Sequence, residues 1–133
     1  MNAISVIKRG ALAGLTTLTL VAMVAPTGVA AKAGDVIRTG SCTNNSDWKL
    51  KLSPENGQVE LEFEVDTPRI GQTWRVKLFQ NDAQFFVGTR TTQAPSGSFT
   101  VRRVRPNTAG SDSFRGRAVN LTTGEVCVGR ASI

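Results

Sequence analysis

Glu60, Glu62 and Glu64 are the residues of this 133-residue chain whose type and spacing come nearest to acid–base chemistry. On an extended strand they share one face at roughly 6.5 Å intervals, a separation that the acid pair of a glycosidase could use. Lys49 and Lys51 alternate in the preceding segment, however, and pairing the two segments sets cations against acids. Exposed, paired carboxylates lack the displaced pKa that catalysis requires, so a structural ion-pair ladder explains more. Calcium binding at this stripe, with Asp66 added, is weak as well, because calcium takes oxygens that converge from a loop. The absence of any His removes the usual general base near neutral pH and the commonest zinc ligand. The expectation is therefore no catalytic residue, no metal, no cofactor and no enzyme.

Cys42 and Cys127 are the only cysteines. What they do depends on the compartment, and the N-terminus speaks to that. Lys8-Arg9 precede an uncharged run from Ala11 to Ala25, and small residues follow through Gly28-Val29-Ala30-Ala31-Lys32-Ala33-Gly34. These are the three parts of a secretory signal, predicting a signal peptide over 1–33, cleaved near Ala31 or Ala33, and a single domain over 34–133. A membrane anchor is the competing reading. A span needs roughly 20 apolar residues, and this run is interrupted by Thr16, Thr17 and Thr19 and ends at Pro26. The expected localisation is secreted, with no membrane span after cleavage. In an oxidising compartment the two cysteines form a disulfide rather than stay as free thiols. It would close a loop of about 85 residues, worth roughly 4 to 5 kcal/mol in the chain-entropy model.

Sixteen Lys and Arg against ten Asp and Glu give a formal charge of +6. Cleavage after Ala33 removes Lys8, Arg9 and Lys32 and leaves a net charge of +3. Charge alone then gives little reason to expect a nucleic-acid partner. The remaining cations cluster: Arg75 and Lys77 in one segment, Arg102, Arg103 and Arg105 in another, Arg115 and Arg117 in a third.

These clusters must be placed by strands. Trp48, Leu50 and Leu52 alternate with Asp47, Lys49 and Lys51; Val59, Leu61, Phe63 and Val65 alternate with the acidic positions. Period-2 alternation on both sides of Ser53-Pro54-Glu55-Asn56-Gly57 predicts a hairpin, with Leu52 opposite Val59, Trp48 opposite Phe63, and Lys51 and Lys49 opposite Glu60 and Glu62. A second hairpin turns at Asn81-Asp82, pairing Leu78 with Phe85 and Val76 with Val87. That register sends Phe79 and Phe86 outward beside Arg75 and Lys77, though a one-residue slip would carry them into the core. Strands also read over Val36–Ser41, Ser98–Arg105, Ser113–Leu121 and Glu125–Ser132. Seven or eight short strands predict an all-β, antiparallel two-sheet sandwich of immunoglobulin-like architecture, with a closed barrel as the alternative.

Arg38-x-Gly40-Ser41-Cys42, Trp48-Lys49-Leu50-Lys51, Phe63-Glu64-Val65-Asp66, Ala94-Pro95-Ser96-Gly97-Ser98-Phe99 and Thr123-Gly124-Glu125-Val126-Cys127 together resemble small secreted actinobacterial β-sandwich proteins with one disulfide and no assigned activity. The resemblance implies a bacterial, exported sandwich and carries over no functional residues. The expected function is a non-catalytic extracellular binding or interaction module, acting as a monomer on an anionic cell-envelope polymer or a secreted protein. Its expected surface is Arg75, Lys77, Phe79, Phe86, Arg103, Arg115 and Arg117. The alternatives are an inhibitor presenting the loop Thr91–Ser98 and a hydrolase working through Glu60 and Glu62.

Overall fold

Period-2 alternation builds eight strands and, among the described residues, no helix. The computed structural model describes residues 31–133, so the expected signal peptide lies almost entirely outside the described residues. The strands are β1 (Val36–Ser41), β2 (Asp47–Glu55), β3 (Gln58–Asp66), β4 (Thr73–Gln80), β5 (Ala83–Thr91), β6 (Ser98–Pro106), β7 (Ser113–Asn120) and β8 (Val126–Ser132). They form two antiparallel sheets, ordered β1-β2-β3-β6 and β5-β4-β7-β8. Each sheet keeps two edges, so this is the expected sandwich and not a closed barrel. From β2 onward the chain crosses between sheets three times and follows the Greek-key path of immunoglobulin-like domains; β1 is an added edge strand.

The inward positions are apolar and almost wholly buried: Leu50, Leu52, Val59, Leu61, Phe63, Val65, Trp74, Val76, Leu78, Val101 and Phe114 are at most 2% exposed. Each such side chain contributes about 1.5 to 3 kcal/mol by leaving water. Gly116 and Gly129 pair across β7 and β8 and face rings of the opposite sheet. A Cβ on Gly116 would lie 2.6 Å from the Phe63 ring, and one on Gly129 would lie 2.7 Å from the Trp48 indole. The two glycines make a trough that receives two rings from the opposite sheet.

The β2–β3 hairpin forms with its faces as expected and its register two residues further along. Leu52 faces Leu61, Leu50 faces Phe63 and Trp48 faces Val65. Asn56 and Gly57 both have positive φ, 51° and 73°, the pair a two-residue type I′ turn requires. That turn makes Glu55 and Gln58 the closing pair and draws Ser53 and Pro54 into the strand. Pro54 lies beyond the last β1 partner, Leu52, so no ladder bond needs its missing N–H.

The β4–β5 hairpin has the expected Asn81-Asp82 turn, with φ of 48° and 65°, but not the expected pairing. Phe79 faces Gln84, then Leu78 faces Phe86 and Val76 faces Gly88. Phe85 is the extra residue of a β-bulge, which shifts every later β5 residue by one position and hence to the other face.

One flank of the sandwich is closed covalently. The disulfide joins Cys42, just past β1, to Cys127 of β8, with Cα atoms 4.3 Å apart. Beside it the buried carboxylate of Glu125 accepts hydrogen bonds from the amides of Asn44 (2.9 Å) and Ser46 (3.0 Å) and from the Ser46 hydroxyl (2.6 Å). An immunoglobulin disulfide joins two inner strands across the sheets, so the likeness here is architectural.

Candidate functional site

The outward positions of the two sheets carry the same residue types in different company. On β1-β2-β3-β6, Arg102 bonds Glu62 and lies 3.7 Å from Glu60, Lys49 lies 3.5 Å from Glu64, and Lys51 lies 3.4 Å from Asp35. The acidic stripe is therefore an ion-pair ladder, as its sequence suggests, although Lys51 faces Glu62 and Lys49 faces Glu64, Glu60 faces Ser53, and Glu60 and Glu62 share Arg102 of β6. A hollow of about 420 Å³ lies on this face, lined by Thr39, Ser41, Asp47, Trp48, Lys49, Glu64 and Asp66. Among the described residues no cluster of three or more His, Cys, Asp or Glu is arranged to hold a metal.

On β5-β4-β7-β8 the cations stand in rows across the strands. Phe79, Arg115 and Arg130 form one row; Lys77, Arg117 and Val128 the next, with Val87 beside Lys77; Arg75, Val119 and Val126 the third. Neighbouring strands lie about 4.8 Å apart and successive outward residues about 6.6 Å apart, so the five charges form a diagonal band from β8 to β4. Among the described residues none of the five makes an ion pair. The Arg115 guanidinium lies 4.0 Å from the Phe79 ring centroid, and its buried Nε has no hydrogen-bond acceptor. Both residues border a depression of about 140 Å³ with Arg130, and Asp82 of the β4–β5 turn is the one acid in its lining.

Arg75, Lys77, Phe79, Arg115 and Arg117 are thus brought together as expected. Phe86 and Arg103 are not. Strands β6 and β7 belong to different sheets, so Arg103 cannot extend the surface of Arg115 and Arg117. It is on the inner face of β6, opposite Leu61. Phe86, turned inward by the bulge, packs against the edge of the core. The two meet at the flank between β5 and β6, where the Arg103 guanidinium lies 4.2 Å from the Phe86 ring centroid.

Arg130 belongs to the cationic band but was not among the residues expected there. Its outward phase is readable from Cys127, Gly129 and Ala131, which alternate inward. The Thr91–Ser98 segment does not project as a free loop. Thr92 is 1% exposed; its hydroxyl donates to the Arg69 carbonyl (2.7 Å) and accepts from the Gln72 amide (2.9 Å). Gln93 pairs with Ser98 to close the turn.

No family model matches the chain, and neither does any curated protein or solved structure. The fold and its surface stand alone as guides. The disulfide is the mark of an oxidising environment, and no helix among the described residues is long and apolar enough to cross a membrane.

Proposed function

We propose that this chain is an exported, non-catalytic binding module whose β5-β4-β7-β8 face holds an anionic polymer of the cell envelope. One observation carries the reading. Arg75, Lys77, Arg115, Arg117 and Arg130 share a face with no carboxylate partner among the described residues, while the cations of the other face are paired. Like charges within a Debye length of about 8 to 10 Å repel, and a polyanion laid along the band relieves that repulsion. Four of the five are arginines, whose planar forks suit phosphate and carboxylate groups. The N-terminal export pattern, the disulfide and the resemblance to secreted actinobacterial proteins support an extracellular place of work.

Co-sedimentation with cell-envelope fractions tests this. Retention is expected to fall steeply between 50 and 200 mM salt, as polyanion binding does, and to drop at least tenfold in an Arg75→Gln/Arg115→Gln/Arg117→Gln variant. A Glu60→Gln/Glu64→Gln variant should be retained at least as well as the parent. Retention that ignores the arginine changes overturns the reading. Retention displaced equally well by duplex DNA overturns the assignment to an envelope polymer.

A further inference from the structure

The two flanks of the sandwich differ in how closely their strands approach. Strands β5 and β6 barely approach each other, whereas β8 lies close against both β1 and β2. On the inner face of β6 the apolar series Phe99, Val101 continues as Arg103 and Arg105, opposite Leu61 and Val59 of β3. The β5 bulge sends the neighbouring Phe85 and Phe86 toward the same gap, where both pack against the core. The Arg105 guanidinium lies 4.5 Å from the Phe85 centroid, and those of Arg103 and Arg90 lie 4.2 and 5.4 Å from that of Phe86. Gly88 leaves room for this stack: a Cβ there would stand 2.9 Å from Phe86 Cζ.

Contact with the rings leaves the guanidinium N–H groups, of which the protein uses few. Arg105 Nε donates to Gln80 Oε1 (3.0 Å), Arg103 Nη1 to the carbonyl of Arg102 (2.6 Å) and Arg90 Nη1 to that of Thr89 (2.8 Å). None of the three contacts a carboxylate. The nearest in the network is Asp112, beyond Gln80, and it already accepts from Thr108, Asn81 and Gln80. Arginines pointing inward on an edge strand discourage edge-to-edge pairing. That role does not call for three like charges gathered on two rings, in a chain that pairs its cations on another face.

We infer that this seam is a second anion site, distinct from the cationic sheet face, in which Arg90, Arg103 and Arg105 receive a phosphate-type oxyanion edge-on. Two rings hold the guanidiniums in place in advance, and a guanidinium suits a group that accepts paired, in-plane N–H bonds. The Arg103 and Arg105 positions, roughly 6.6 Å apart along the strand, suit a ligand with more than one such group. A free oligophosphate and the phosphates of a polymer present the same chemistry.

Titration of the ¹⁵N-labelled protein with orthophosphate and tripolyphosphate, following the arginine Nε–H signals, tests the site. Acetate is the control, and an envelope phosphopolymer fraction separates the two sources. The signals of Arg103 and Arg105 should shift saturably, with tripolyphosphate at least tenfold tighter than orthophosphate. Arg103→Gln/Arg105→Gln should weaken tripolyphosphate binding at least tenfold, and Arg103→Lys, which keeps the charge without the planar stack, at least threefold. Arg115→Gln/Arg117→Gln should leave it within twofold, even while lowering retention on the envelope fraction. Non-saturating shifts, or equal loss in both double variants, would overturn the seam site. Loss of envelope retention with intact tripolyphosphate binding separates the fate of the two sites. Arg103→Lys keeps the test open if the double glutamine variant does not fold.

Discussion

The two flanks of the sandwich are closed by opposite means. Between β1 and β8 the closure is covalent and apolar: Cys42 is bonded to Cys127, and the Trp48 indole sits between Gly40 and Gly129, each of whose Cβ atoms would lie within 2.7 Å of it. Between β5 and β6 it is aromatic and charged, with guanidiniums laid over Phe85 and Phe86. The first arrangement uses its side chains to close the core. The second leaves most of the guanidinium N–H donors without a protein acceptor. Stability and recognition are thereby assigned to different sides of one small domain.

Breaking the covalent flank should have the largest effect. A Cys42→Ser/Cys127→Ser variant is expected to lose about 4 kcal/mol, the chain-entropy value for a loop of this length, read from the urea midpoint and slope. The same variant should keep its cationic band if it remains folded. Gly129→Val is expected to cost about 1 to 3 kcal/mol, because a side chain there runs into the Trp48 and Phe63 rings; thermal unfolding measures it. On the charged flank the costs are smaller. Phe86→Ala should lose about 1 to 2 kcal/mol, only part of the ring being buried, and Arg103→Ala at most about 1 kcal/mol. A loss from Arg103→Ala as large as that from Gly129→Val would erase the contrast between the flanks.

Acid acts on the two ends of this comparison through depressed carboxylates, among them Asp35 and Asp112. Asp35, near β1, is held below the usual carboxylate range chiefly by the Ser53 hydroxyl, with help from the Lys32 amide and Lys51. Asp112, behind Gln80 at the other flank, is held low chiefly by the Thr108 hydroxyl and then by Asn81. A lowered folded-state pKa gives stability that is present above the unfolded value, about pH 4, and lost as pH falls through the folded one. Melting temperature should be level above about pH 5 and fall in acid, with a shallower fall in Asp35→Asn and in Asp112→Asn. A fall as steep as the parent's in both variants would remove these groups from the account. The smallest effect belongs to the exposed ladder: Lys49→Ala should change stability by at most about 1 kcal/mol.

Most of the fold is legible in the sequence because both sheets alternate cleanly and the turns carry Asn-Gly, Asn-Asp or Thr-Gly. The register is less so. Asn56-Gly57 as a two-residue turn sets the first hairpin two residues beyond the pairing suggested by the wider Ser53–Gly57 stretch, and an even shift leaves every face intact. The bulge at Phe85 is an odd shift with no mark in the sequence, and it alone moves Phe86 from surface to flank. Arg75, Lys77, Arg115 and Arg117 are readable as one surface because their strands are neighbours and their phase is outward. Arg103 and Arg105 share the phase of Phe99 and Val101, so alternation points them inward. Their charge argues the other way, and only the splayed flank reconciles the two.

The disulfide also decides how the domain would respond to tension. A pull applied to the chain before Cys42 and after Cys127 runs straight through the sulfur–sulfur bond and bypasses everything between. The 85-residue separation corresponds to roughly 300 Å of extended chain that force cannot draw out while the bond is intact. Only β1 and the end of β8 can be peeled away. The seam and all of the cationic band except Arg130 lie within the shielded length and would keep their shape under load, until a reductant lets the whole domain pay out.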